Sequence, residues 1–178
     1  MEVRFKRTGE RRYAVIVAQG GATQRFDPAP GYDDDIPHDL VHYAVEAVLG
    51  LDDGVFGRAA QGGGTFIAMD GTGGDARAQA RLRRKQRRRE ESMQTREGAR
   101  QQMALSERLA ALCDVAWRRR HGQRADPSRS APALLSRDDV PRIERVLQSL
   151  DTLAPRWRAL PIGEELVFDW PSIAPRAH

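Results

Sequence analysis

One cysteine, Cys113, is all the thiol this chain possesses. A single thiol excludes an internal disulfide and any CxxC zinc or redox motif. It lies in ALSERLAALCDVAW, an amphipathic pattern in which it reads as a buried small hydrophobe. Aromatic residues make up 6%, and none occurs between Phe66 and Trp117. No run approaches 18 apolar residues, and no N-terminal apolar h-region precedes the first charged positions. The expectation is a cytoplasmic protein with no transmembrane segment. GTGGD and GGGT are rich in glycine, yet neither completes a phosphate-binding GxxxxGK[ST] or GxGxxG pattern, so both read as hinges. With GxSxG also missing, nucleophilic catalysis has no motif to rest on.

Lysine is scarce too: only Lys6 and Lys85 occur, although the formal charge is +4 and the pI about 9.8. Arginine forks suit phosphates and carboxylates. The same bias, spread over the whole chain, is also what a GC-rich bacterial genome produces. The 178 residues suit a single domain spanning 1–178, with 40% apolar and 30% charged residues. Large apolar side chains fail locally, since residues 75–101 contain only Leu82 and Met93. That stretch reads as an arginine-rich arm, helical or partly disordered, and ADPSRSAPA within residues 122–135 reads as a linker.

Elsewhere the periodicities are clear. MEVRFKR and RRYAVIVA flank a turn containing Gly9 and predict a β-hairpin with a deeper second strand. ATQRFD suggests a short third strand and TFIAMD a further one. A helix is expected from about Asp35–Pro37, with an aspartate cap, to Leu49, stopping at Gly50. GVFGRAAQ suggests a short second helix. From Ala76 to His121 the pattern is helical except at Gly98, with Leu105, Leu109, Leu112, Ala116 and Trp117 forming a stripe. SRDDVPRIERVLQSLDTLAP predicts a helix burying Val140, Ile143, Val146, Leu147 and Leu150, with Pro155 beyond its end. Leu166, Phe168 and Trp170 alternate in a last strand expected to pair with the N-terminal hairpin. Trp117, Trp157 and Trp170 are expected in the core. The fold class is α+β, a small antiparallel sheet covered by helices.

The stretch with reactive chemistry is PHDLVHYAVE, residues 37–46. His38 and His42, four apart on a helix, project from one side and can offer imidazole nitrogens to one ion, as in the HExxH arrangement. Asp39 stands where that motif has glutamate. It is one methylene shorter and reaches a bound water less easily as a base. Glu46 continues the row, but it lies roughly 12 Å from His38 along the axis and is turned by about 80°. It therefore suits a partner of His42 better than a ligand. A third ligand must come from elsewhere, with Asp33, Asp34, Asp35, Asp52 and Asp53 nearest in sequence. On the helical wheel Leu40, Val41, Ala44, Val45, Val48 and Leu49 form the buried arc, with the His38–His42–Glu46 row on its border. The bland alternative is that these histidines merely hydrogen-bond to a neighbouring loop.

HDLVH followed by VLGLDDGVFG resembles the HDxxH helix and downstream glycine-bearing segment of the zinc-binding ubiquinone-biosynthesis family, the fourth Coq protein. The resemblance covers about twenty residues. It implies that His38, Asp39 and His42 belong to a zinc site. That family's glutamate, eleven residues beyond its motif, falls here on Gly54, and the residue after the similar VFG is Arg58. The family is essentially helical, whereas this chain has strands at both ends, so a quinone substrate is not implied.

Two functions follow as expectations. One is a divalent-metal protein, zinc foremost, holding the ion with His38 and His42. As an enzyme it would be a metal-dependent hydrolase or lyase acting on a small molecule, with Asp39 or Glu46 moving a proton. The other is a non-enzymatic module that contacts nucleic acid or an acidic partner through residues 77–89, where Arg81, Arg83, Arg84, Lys85, Arg87, Arg88 and Arg89 crowd together. The lack of aromatics there removes base stacking from that second reading. The residues leave homo-oligomerisation open.

Overall fold

The computed structural model describes residues 1–63, 66–68, 98–124 and 139–176, with isolated positions between 81 and 92. Its fold is α+β. Strands β1 (Glu2–Gly9), β2 (Arg12–Gln19), β3 (Ala22–Phe26), β4 (Ile67–Ala68) and β5 (Glu165–Asp169) form an antiparallel sheet of order β4-β3-β2-β1-β5. The last strand returns to pair with β1, as the alternation of Leu166 and Phe168 predicts. Register explains the buried face. Val3 sits opposite Val17 and Phe168, and Phe5 opposite Val15 and Leu166, so the centre of this face is apolar across three strands.

Helices α1 (His38–Leu49), α2 (Val55–Ala60), α3 (Ala99–Arg120) and α4 (Asp139–Arg158) complete the described elements. The hydrophobic core cluster draws on the sheet and all four helices. Tyr43 of α1 fixes how that helix lies on the sheet. Its ring meets Phe5 at 5.7 Å, Phe56 at 5.2 Å and Phe168 at 4.9 Å, and its hydroxyl donates to the Ser172 carbonyl at 2.7 Å. With Tyr43 turned to the strands, the adjacent His42 faces sideways toward α3.

Two helix boundaries differ from expectation. Helix α1 begins at His38, with Pro37 in extended backbone as the N-cap and no side-chain cap. The aspartates serve the preceding loop instead: Asp33 Oδ1 accepts from the Asp35 and Ile36 amides, and Asp35 meets Arg158. Gly98, at φ 83°, is the N-cap of α3, at the one position where the sequence pattern breaks. Helix α4 runs through Pro155 to Arg158. Proline removes only one intrahelical bond, in the last turn. The turn survives because Trp157 is fully buried, donates to the Asp33 carbonyl at 3.0 Å and meets Tyr13 edge-on at 5.7 Å. The helix's buried face is Ile143, Val146, Leu147, Leu150, Leu153 and Ala154, while Val140, one turn early, is 55% exposed. Gly50, at φ 66°, ends α1 in the left-handed conformation that glycine accepts without penalty. No helix among the described residues is long and apolar enough to cross a membrane. The expected linker is described only at its start, residues 122–124.

This packing ranks two substitutions in α4. Leu150→Ala should destabilise by about 2–5 kcal/mol, and Val140→Ser should stay within about 0.5 kcal/mol. Urea denaturation of both variants checks the order. An equal or inverted ranking would show that α4 is rotated from the position described.

Candidate metal centre

Two turns of α1 and one residue of α3 build the site. His38 and His42 stand edge to face, with ring centroids 4.6 Å apart and their Nε2 atoms separated by 3.1 Å. Glu107 of α3 brings Oε2 to 3.4 Å from His42 Nε2. Ligand atoms of His38, His42 and Glu107 all lie within 4.8 Å of one another. His42 is buried, His38 is half-buried and the Glu107 side chain is 59% exposed, so the group opens to solvent on its glutamate side.

Behind His42 lies a buried polar chain. Its Nδ1 is 3.2 Å from Ser106 Oγ, and Ser106 donates to Glu46 Oε1 at 2.7 Å. The Glu46 carboxylate also accepts from the Val55 amide at 2.8 Å, the Phe56 amide at 2.8 Å and the Gly57 amide at 3.3 Å. Burial raises the Glu46 carboxyl above its ordinary value, against the pull of Ser106, His42 and the α2 amides. Three backbone donors and a hydroxyl surround it, an environment that the ionised form satisfies. The serine has one proton, given to Glu46, so it must accept from His42. The His42 Nδ1 therefore carries hydrogen, and Nε2 donates to Glu107 when the ring is charged and offers a lone pair when it is neutral.

Gly54 is part of this arrangement. A Cβ there would lie 2.2 Å from Glu46 Cδ, so the carboxylate fills the space that any larger residue would claim. Gly57 is equally constrained, since its Cβ would meet the Asp52 carbonyl oxygen at 2.4 Å. Arg58 is buried and donates to the Asp53 carbonyl at 3.0 Å and the Ala99 carbonyl at 3.3 Å, joining α2 to the start of α3.

Asp39 leans the other way, toward the sheet. Its Oδ2 lies 2.6 Å from the Tyr13 hydroxyl, which is also 2.6 Å from the Pro30 carbonyl oxygen. One hydroxyl proton serves one acceptor at a time, so both contacts are satisfied together when Asp39 carries a proton. Burial raises the Asp39 carboxyl above its ordinary value, opposed by Tyr13 and His42 and assisted by the Glu107 charge.

The structure brings His38 and His42 together as the spacing predicts. Glu46 is a partner of His42 through Ser106, with its carboxylate 4.0 Å from Nδ1. The row is not a border of the buried arc: His42 and Glu46 are buried, whereas Val48 and Leu49 are half-buried, because α3 packs along that side. None of the sequence-near aspartates joins the cluster. Asp33 pairs with Arg118, Asp34 accepts from Tyr32 and Asp35 meets Arg158. The Asp53 amide is held by Gln102, and the Asp52 carbonyl accepts from Gln61. Glu107 was missed because an exposed acid in an amphipathic helix carries no local signal of what it faces. Of the arginine-rich positions, Arg81, Arg84, Arg87 and Arg88 are helical and exposed, and Arg83, Lys85 and Arg89 lie outside the described residues. No family model, curated protein or solved structure matches the chain.

Burial opposes the His42 imidazolium, but the Glu107 contact and the charges of Glu107, Glu46 and Asp39 raise its pKa above the ordinary 6.5. A histidine raised on folding contributes stability that is fully present below its unfolded value and is lost as pH rises through the folded one. The melting temperature of chelator-treated protein should thus carry a component that declines as pH rises above about 6.5. His42→Gln and Glu107→Gln should each flatten it. A component that instead grows over that window would contradict the contact.

Proposed function

We propose that this protein is a divalent-metal protein in which His38, His42 and Glu107 hold the ion. The observation that carries the reading is the convergence of two imidazole Nε2 atoms and a carboxylate oxygen, at 3.1 and 3.4 Å along the cluster. Donors about 2.0–2.1 Å from a tetrahedral zinc stand roughly 3.3 Å from one another, which matches this spacing. Two nitrogens and one oxygen favour zinc or a neighbouring transition metal over magnesium or calcium, which take oxygen. His42 is held in the tautomer a metal needs.

Three protein ligands with an exposed side are the pattern of catalytic rather than closed structural sites. A metal there supplies Lewis-acid polarisation of a carbonyl or activation of water, the chemistry of a hydrolase or lyase. Within that reading Asp39 faces Tyr13 rather than the ligand atoms, so it acts on the centre only through its electrostatic coupling to His42 and Glu107. Glu46 is the group that holds His42, because its carboxylate is engaged by four donors. The resemblance to the zinc-binding ubiquinone-biosynthesis family supports the HDxxH helix and no more. Gly54 and Arg58 stand at the two candidate positions of that family's glutamate, and Glu107 offers a carboxylate from another helix.

Untagged protein should contain close to one equivalent of metal by elemental analysis, lost in His38→Ala and His42→Ala and reduced in Glu107→Ala. Free zinc at 100 times Kd should stabilise the metal-free chain by about 2.7 kcal/mol, or roughly 5–10 °C for this length. Metal-free protein after zinc supplementation, with an unmoved melting temperature, would overturn the assignment.

A second activity is favoured by the exposed helical placement of Arg81, Arg84, Arg87 and Arg88. We propose that this stretch contacts a polyanion by phosphate neutralisation. Binding to generic duplex DNA should then fall steeply between about 50 and 200 mM salt, and a quadruple arginine-to-glutamine variant should lose it. Binding that ignores salt, or survives in the variant, would place any contact elsewhere.

A further inference from the structure

Ser106 lies on α3 beside Glu107, is fully buried, and hydrogen-bonds to His42 and Glu46. It is the joint between two features with nothing in common at first sight: the metal centre and the first turn of α2. On one side its oxygen takes the His42 Nδ1 proton at 3.2 Å. On the other its own proton goes to Glu46 Oε1, the same oxygen that receives the Val55 amide, while Oε2 receives Phe56 and Gly57. Orphan amides at a helix start need an acceptor. Here the acceptor comes from another helix, and the same acceptor orders the serine that orients a histidine.

We propose that the metal centre and the opening turn of α2 are one cooperative unit, with Ser106 and Glu46 as positioning residues that transmit binding at His42 to the Val55, Phe56 and Gly57 amides. The inference rests on the metal reading above. Withdrawal of electron density from His42 by an ion makes its Nδ1–H a stronger donor. That polarises Ser106 and strengthens its bond to Glu46. The carboxylate is then held more firmly, and with it the three amides. Linkage is reciprocal, so loosening the turn must weaken metal affinity by the same factor. Gly54 gives the distal end of the path a steric handle, because the three atoms nearest a Cβ there all belong to the Glu46 carboxylate.

The test uses the full chain and zinc alone. Hydrogen exchange should show Val55, Phe56 and Gly57 protected severalfold on zinc saturation, beyond any change at the sheet amides of Val15 and Val17. In Ser106→Ala, zinc affinity measured by competition with a chromophoric chelator should weaken about 10-fold or more, and the extra protection should vanish. Gly54→Ala should weaken zinc binding in the same direction. A purely structural serine would lower the melting temperature of Ser106→Ala and leave its zinc Kd unchanged, and that result overturns the proposal. So does zinc binding by the unaltered protein with no added protection at α2, a measurement that stands even where a variant fails to fold. Absence of zinc binding by the unaltered protein overturns the metal reading and this inference with it.

Discussion

The buried carboxylate of Glu46 is the constraint around which the helical layer is arranged. An ionised group at zero exposure is tolerated only when donors replace its lost hydration. Here three amides of α2 and the Ser106 hydroxyl do so. Each donor imposes a position. The amides fix where α2 starts, the serine fixes the approach of α3 to α1, and Gly54 leaves the room that the carboxylate occupies. Removing the charge would leave several buried donors unsatisfied at once, so these contacts stand or fall together.

The orientation of the histidine pair follows from that arrangement and from Tyr43. The tyrosine packs into the aromatic group of Phe5, Phe56 and Phe168, which sets the rotation of α1 on the sheet. With that rotation fixed, residue 42 points at α3 and residue 39 at Tyr13. The two acids of α1 therefore sit in different hydrogen-bonding settings. Glu46 is ringed by donors, whereas Asp39 shares a single hydroxyl proton with a carbonyl. The Glu107 carboxyl, mostly exposed, is lowered by the His42 hydrogen bond despite some desolvation. A buried histidine thus faces a carboxylate whose side chain is 59% exposed.

Much of the fold was legible locally. The alternation in β1 and β5 and the aromatic, β-branched run of β2 reported strands, because a pleated sheet with one buried face must alternate. Gly50 reported the end of α1, since the left-handed conformation there selects glycine. The spacing of His38 and His42 reported a shared helix side. Misreadings came where a distant partner overrode a local preference. Pro155 looked like a stop, yet the burial of Trp157 against Tyr13 and Asp33 carries α4 beyond it. Val140 fits the apolar pattern of α4 but lies before the helix reaches the core.

The sequence by itself determined the α+β class, the antiparallel return of the last strand and the pairing of two imidazoles one turn apart. These are consequences of periodicity, which needs no neighbour to be read. Only the tertiary structure decided which acid joins the histidines, which acid supports them and which is turned away. Glu107 is 65 positions after His42 in the chain, and its contact depends on the crossing of α3 over α1 rather than on any spacing. Ser106 and Gly54 are equally silent as letters. A hydroxyl becomes a bridge between two side chains, and an absent side chain becomes a requirement, only where packing brings Glu46 between Ser106 and Gly54.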